Sequence, residues 1–221
     1  MKLYEEKFII PVGNKTVSST KTSTYSAPDY TFVYAPGAGS NISDPFGEYL
    51  RSHLPAVGAS LVQFQFPYME AGNRGPDRPA LLEETWRKVI DYFRPRKGKL
   101  VVGGRSMGGR IASQVVAQGI DVDALALFAY PLNPPSNCSV FRDGHLTDIS
   151  VPTLFCSGSR DNFATSVNLG AISNSMTNAK FHEIDGADHG FAVLKRSDRS
   201  REDVWREVLD VTLAWIKAIP A

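Results

Sequence analysis

Few features of this sequence point toward a membrane, a nucleic acid or an oxidising compartment. Two cysteines in 221 residues cannot build a disulfide framework. Cys156 sits in an apolar, strand-like run and Cys138 in a polar loop, so both read as free thiols in a reducing compartment. No apolar run approaches the ~20 residues that span a bilayer. Near the start, only Phe8–Ile10 is apolar before Pro11 intervenes, which is short of the core of a signal peptide. A cytoplasmic location with no membrane partner is therefore expected. An excess of one charge is lacking too. Lys and Arg total 24 against 23 for Asp and Glu, a net charge of +1, so no basic surplus argues for nucleic acid. No repeat, low-complexity tract or linker divides the chain. Its length suits a single α/β domain over 1–221, with 43% hydrophobic residues available for a core.

The pattern that is present alternates between strands and helices. Lys7–Val12 and Lys15–Thr20 flank a Gly13-Asn14 turn and predict a hairpin. Tyr30–Tyr34, Ser60–Phe66, Leu100–Gly104, Ala124–Tyr130, Thr153–Ser157 and Lys180–Ile184 read as strands, several apolar enough to be buried on both faces. Helical spacing appears in Phe46, Tyr49, Leu50, His53 and Leu54, and again in Leu82, Trp86, Val89, Ile90 and Phe93. It recurs in Ile111, Ala112, Val115 and Val116, and in Trp205, Val208, Leu209, Leu213 and Ile216. Strands joined through helices imply right-handed crossovers, hence an α/β fold with a mostly parallel, doubly wound sheet and an antiparallel N-terminal hairpin. Ligands in such sheets bind beyond the carboxyl ends of the strands.

One turn at such an end carries chemistry. Gly104-Arg105-Ser106-Met107-Gly108 follows the strand LVVGG and leads into GGRIASQVVAQ, the strand–turn–helix setting of a nucleophile elbow. The plainer alternative is a serine that only caps the helix. A serine hydroxyl needs a base to take its proton. Of the four histidines, His53 falls on an apolar helix stripe and reads as structural. His182 lies within a strand and His145 in a polar loop. His189 follows the Lys180–Ile184 strand in GADHGF and is the candidate base, an exposed loop histidine being the alternative. Asp161, just past TLFCS, is the candidate acid. Its rivals are Asp143, Asp148, Asp185 and Asp188, and its plainer role is an Asx turn or helix cap before Phe163. An oxyanion needs two N–H donors: Met107, which follows the nucleophile, and either Ala38 or Gly39 in the loop after Tyr30–Tyr34. Substrate contacts are expected from Tyr68 and Arg74 on one side and Tyr130 and Leu132 on the other. An Arg74 or Arg78 facing the pocket would suggest a carboxylate-bearing substrate, but solvated loop arginines near Glu70 and Asp77 are the favoured reading. About 20 residues separate Tyr130 from Pro152, too few for a separate lid domain.

The blocks APGAGSN, GGRSMGGR, AYPLNPP, PTLFCSGSRDNF and GADHGF, in that order, resemble the small lidless α/β-hydrolases close to the dienelactone-hydrolase-like group. They are similar also to bacterial predicted hydrolases and to the hydrolase-like domain of a non-specific-lethal chromatin complex subunit. The resemblance implies the α/β-hydrolase fold, with Ser106, Asp161 and His189 at the positions of a Ser-His-Asp triad. Chemistry on such a triad is expected to take a small-molecule acyl substrate (carboxylic ester, thioester or lactone, with peptide cleavage also open) and to require no metal or organic cofactor. Two departures stand out. Pro36 precedes Gly37 where many relatives begin the oxyanion loop with His-Gly, and Ser106 stands where dienelactone hydrolases carry cysteine, so their substrate is not carried over. Some relatives act as scaffolds, so a catalytically silent interaction module is the alternative expectation.

Overall fold

The computed structural model describes residues 2–24, 28–134 and 140–219; the expected thiol of Cys138 lies outside them. Eight strands form one sheet in the order β1-β2-β4-β3-β5-β6-β7-β8. The hairpin β1 (Tyr4–Val12) and β2 (Lys15–Ser23) is antiparallel and joins β4 (Ala59–Phe64) antiparallel through Ser19↔Phe64. From β4 through β3 (Tyr30–Ala35), β5 (Lys99–Arg105), β6 (Ala124–Phe128), β7 (Thr153–Gly158) and β8 (Ala179–Ile184) every pairing is parallel. This is the expected α/β-hydrolase architecture. The hairpin runs longer at its open end than its apolar residues suggested, because Tyr4–Glu6 continue the ladder opposite Lys21–Ser23 without an apolar stripe.

Side-chain alternation along the central strands divides the core. Phe32 and Tyr34 face one side of the sheet and Val33 and Ala35 the other, as the period of two requires. On the first side lie α1 (Pro45–His53) and α6 (Arg201–Lys217). On the second lie α3 (Pro79–Phe93), α4 (Met107–Ala117) and α5 (Ser166–Ser175), with α2 (Pro67–Glu70) a single turn after β4. Leu82, Trp86, Val89, Ile90 and Phe93 are buried as their spacing requires. His53 is not. It is exposed, stacked on the Tyr49 ring at 4.1 Å, because α1 ends there and the chain turns inward only at Leu54. Cys156, within β7, is fully buried, and that burial raises its thiol pKa far above the ordinary range. Between β6 and β7 the described residues hold only a 3₁₀ turn, Leu146–Asp148, and no separate lid. Among the described residues no helix is long and apolar enough to cross a membrane.

Candidate active site

The parallel strands all point the same way, so the loops after β3, β5, β7 and β8 emerge at one edge of the sheet. Ser106 occupies the turn between β5 and α4 with φ 52° and ψ −119°. A residue with a side chain pays on the order of 1–3 kcal/mol for such a conformation, so the surroundings must impose it. They do so from both ends. The Ser106 N–H donates to the Phe128 carbonyl at 2.8 Å, continuing the sheet, and the Ser106 carbonyl accepts from the Arg110 N–H at 2.9 Å, starting the helix. The flanking glycines are required by close approach. A Cβ on Gly104 would lie 2.4 Å from the Ala35 carbonyl oxygen, and one on Gly108 would lie 2.4 Å from the same atom. Among the described residues, the three non-glycine positions with positive φ are Ser106, Ala129 and Phe191. Ser106 and Ala129 directly follow strand ends, and Phe191 lies in the loop after β8 that carries His189, the distribution expected where strain serves a site.

The sheet brings the two other candidates to the serine. His189 Nε2 lies 2.9 Å from Ser106 Oγ, and His189 Nδ1 lies 2.8 Å from Asp161 Oδ2. The Asp161 carboxylate is fully enclosed. Its Oδ2 also accepts from the Ser157 hydroxyl at 3.1 Å, and its Oδ1 accepts from the Phe163 N–H at 2.8 Å. The Asx turn set against an orienting role for Asp161 is thus present together with the imidazole contact. One oxygen fixes the carboxylate and the other faces the ring. The His189 loop is held by Asp188, whose Oδ1 accepts from the Gly190 and Ala192 amides at 2.8 and 2.9 Å. That occupation removes Asp188 as a rival. The Phe163 ring leans on the imidazole with centroids 4.5 Å apart. His145 instead meets Ser113 Oγ at 2.8 Å, and His182 pairs with Glu207 at 2.7 Å, each remote from Ser106 in its bonding.

The loop after β3 closes the other side. Gly37–Ser40 form a turn, with the Ser40 N–H donating to the Gly37 carbonyl at 3.3 Å and Gly39 at φ +75°. A Cβ on Gly37 would lie 3.3 Å from the Ser106 Cβ, so the loop presses directly on the nucleophile turn. Ala38 lines the same cleft as Ser106, Met107 and His189. Gly39 does not line that cleft, and burial pushes the Tyr68 hydroxyl pKa up to about 12. Asp44, the N-cap of α1, fastens this loop to the elbow. It is 1% exposed, accepts from Tyr34 Oη at 2.6 Å and from the Gly47 N–H at 3.0 Å, and pairs with Arg105 Nη2 at 2.9 Å. Burial first, then the Asp44 charge, raises the Tyr34 hydroxyl well above its ordinary pKa, so it remains a donor. Replacing Arg105 with Met leaves a buried carboxylate with neutral donors only. The expected cost is about 3–5 kcal/mol, read as a lower urea midpoint at unchanged slope. A loss below about 0.5 kcal/mol would show that the pair holds nothing.

The cleft has a volume of about 430 Å³. Apolar wall comes from Leu82, Pro79, Met107 and Phe163, and charge from Arg110, Arg142 and Asp77. The substrate contacts expected from sequence are placed differently. Tyr68, Tyr130 and Leu132 are buried in the core, Arg74 and Arg78 are exposed, and none of the five lines the cleft. Large apolar side chains beside strand ends pack inward, and the Tyr130 hydroxyl is taken by the Arg142 carbonyl at 2.8 Å. Phe163, Arg110 and Arg142 were not anticipated. For Arg110 a signal existed, since it sits four residues after Ser106 and so one turn along the same helix face. Among the described residues no three acidic, histidine or cysteine side chains converge as metal ligands.

Comparison with known proteins agrees with this fold. Residues 28–217 match the family described as an alpha/beta hydrolase domain. The dienelactone hydrolase from Anabaena variabilis superposes with a TM-score of 0.76 at 16% identity, covering 100% of this chain and 100% of its own. A Xanthomonas campestris protein described as a serine hydrolase without lid gives 0.74 at 16% identity, covering 98% of this chain and 96% of that one. Est1E from Butyrivibrio proteoclasticus with ferulic acid bound gives 0.74 at 15% identity, over 95% of this chain and 99% of that one. At these identities the structural likeness establishes a shared fold.

Proposed function

The chain belongs to the alpha/beta hydrolase domain family, and on that premise we propose that it is a serine hydrolase cleaving a small ester-type substrate through an acyl-enzyme on Ser106. One observation carries the reading: Ser106, His189 and Asp161, from three different loops, stand in an unbroken hydrogen-bonded series of 2.9 and 2.8 Å. With Asp161 ionised, Nδ1 of His189 donates to it, which leaves Nε2 as the acceptor for the serine proton. As Ser106 Oγ attacks the carbonyl carbon, that proton passes to Nε2, and the imidazolium formed is stabilised by the enclosed carboxylate. The developing oxyanion is met by two backbone amides. Met107 supplies one from the free N-terminus of α4, and Ala38 rather than Gly39 supplies the other, since Ala38 lines the cleft. His189 then protonates the leaving alkoxide or thiolate. Water, deprotonated by the same imidazole, releases the acid. Carboxylic ester, thioester and lactone share this sequence and differ only in the leaving group.

The test is covalent labelling by a fluorophosphonate probe, with mass spectrometry of the labelled peptide, alongside turnover of a panel of short acyl esters and thioesters. Labelling at Ser106 that disappears in Ser106→Ala is the expected result. Labelling that persists in Ser106→Ala would place the nucleophile elsewhere. No labelling and no turnover in the wild type would favour a fold retained as an interaction module.

A further inference from the structure

The same cleft holds two guanidinium groups that the reaction described above does not use. We propose that Arg110 and Arg142 form an anion subsite beside Ser106, and that the acyl substrate carries a free carboxylate held there. The assignment of substrate class rests on the serine-hydrolase reading; the anion subsite itself does not.

Both side chains line the cleft together with Ser106 and His189. Arg110 is placed by α4, one turn beyond the nucleophile. Arg142 is placed by its backbone, which donates to the Leu132 carbonyl at 2.8 Å and accepts from Tyr130 Oη at 2.8 Å. Among the described residues neither guanidinium has a carboxylate within ion-pair distance. Surface arginines such as Arg51, Arg94 and Arg206 do find carboxylates, at 2.7–3.2 Å. An unpaired arginine in solvent needs no explanation, but Arg110 is largely withdrawn from water. Among the described residues its buried Nε has no partner, and its one side-chain bond is to Gln114 Oε1 at 3.3 Å. Burial, and next the nearby charge of Arg142, both pull its pKa below the ordinary value, so its charged form lacks compensation.

The acid that shares the cleft does not supply that compensation. Asp77 is engaged by Lys15 Nζ at 3.3 Å and by the Tyr68 N–H at 2.7 Å. The remaining free charge in the cleft is therefore positive. A carboxylate presents two oxygens to fork-shaped donors, and its charge would compensate the half-buried Arg110 guanidinium and relieve the repulsion between the two arginines. The wall between them and Ser106 is apolar, through Leu82, Met107 and Phe163. A short hydrocarbon linker between the carboxylate and the scissile carbonyl fits that surface.

Two measurements decide this. Monoethyl esters of the C4–C6 dicarboxylic acids and the corresponding neutral diethyl esters are compared by pH-stat. A preference of roughly 10–100-fold in kcat/KM for the charged esters is expected, the range for hydrogen bonds to charged groups. The preference should fall toward unity in Arg142→Gln and stay intermediate in Arg142→Lys, which keeps charge without the fork. Calorimetric titration with glutarate and adipate, against their diamides, reads the subsite without turnover. Binding of the diacids but not the diamides, lost in Arg142→Gln, is expected even if no ester is cleaved, an outcome that would overturn the serine-hydrolase reading alone. Arg110→Gln, checked for folding by circular dichroism, should act in the same direction. Equal treatment of charged and neutral esters together with no diacid binding overturns the subsite. Tighter binding of a phosphonate of equal length overturns the choice of carboxylate.

Discussion

Replacing Ser106 by alanine should lower kcat for ester cleavage by a factor on the order of 10⁶, with residual turnover still above the uncatalysed rate. The substitution is unusually clean here. Alanine keeps the Cβ and therefore the strained φ of 52° at the elbow, so the elbow geometry should be unchanged and only the oxygen is lost. His189→Ala should cost about the same, and the double variant no more than either, because base and nucleophile act as one unit. On the proposed mechanism the residual activity would come from the Met107 and Ala38 amides, which neither substitution removes. Single-turnover kinetics on an activated ester would check all three variants. Losses that add on a logarithmic scale would mean that His189 and Ser106 work independently, contrary to their 2.9 Å contact.

Asp161→Asn should lower kcat by about 10⁴-fold and leave KM nearly unchanged. The reason lies in what else the carboxylate does. Its Oδ1 accepts from the Phe163 N–H, so an asparagine keeps its carbonyl oxygen there and turns its amide nitrogen to the Oδ2 position. That nitrogen is a donor, and it would face both Nδ1 of His189 and the Ser157 hydroxyl. The imidazole must then present Nδ1 as acceptor and carry its proton on Nε2, where it cannot take one from Ser106. The decrease should appear in the acylation rate, followed by stopped-flow with an activated ester, while the thermal midpoint changes little. A decrease of less than tenfold would show that another group orients the ring.

How much of this was legible in sequence depended on whether a residue's role is local. The elbow could be read because a strand, a strained turn and a helix occupy consecutive residues. The helix carrying Trp86 could be read because its buried face repeats every three to four positions. The helix Ser166–Ser175 could not, since it buries only Leu169 and Ser173 and therefore shows no apolar stripe. Tyr68, Tyr130 and Leu132 looked like cleft walls because they neighbour the right strand ends, yet each is almost fully buried in the core. Sequence position gives the end of the strand but not the direction of the side chain.

The order of the strands, the four helices with an apolar stripe, the elbow at Ser106 and the identities of the candidate base and acid were all determined by the sequence itself, because periodicity and turn chemistry are written in neighbouring residues. Three things were decided only in the folded molecule: the meeting of Ser106, His189 and Asp161, the position of Ala38 on the cleft wall, and the two arginines beside the serine without carboxylate partners among the described residues. Each depends on distances between segments far apart in the chain, and those distances are set by how the parallel strands align their ends. No local pattern encodes that alignment.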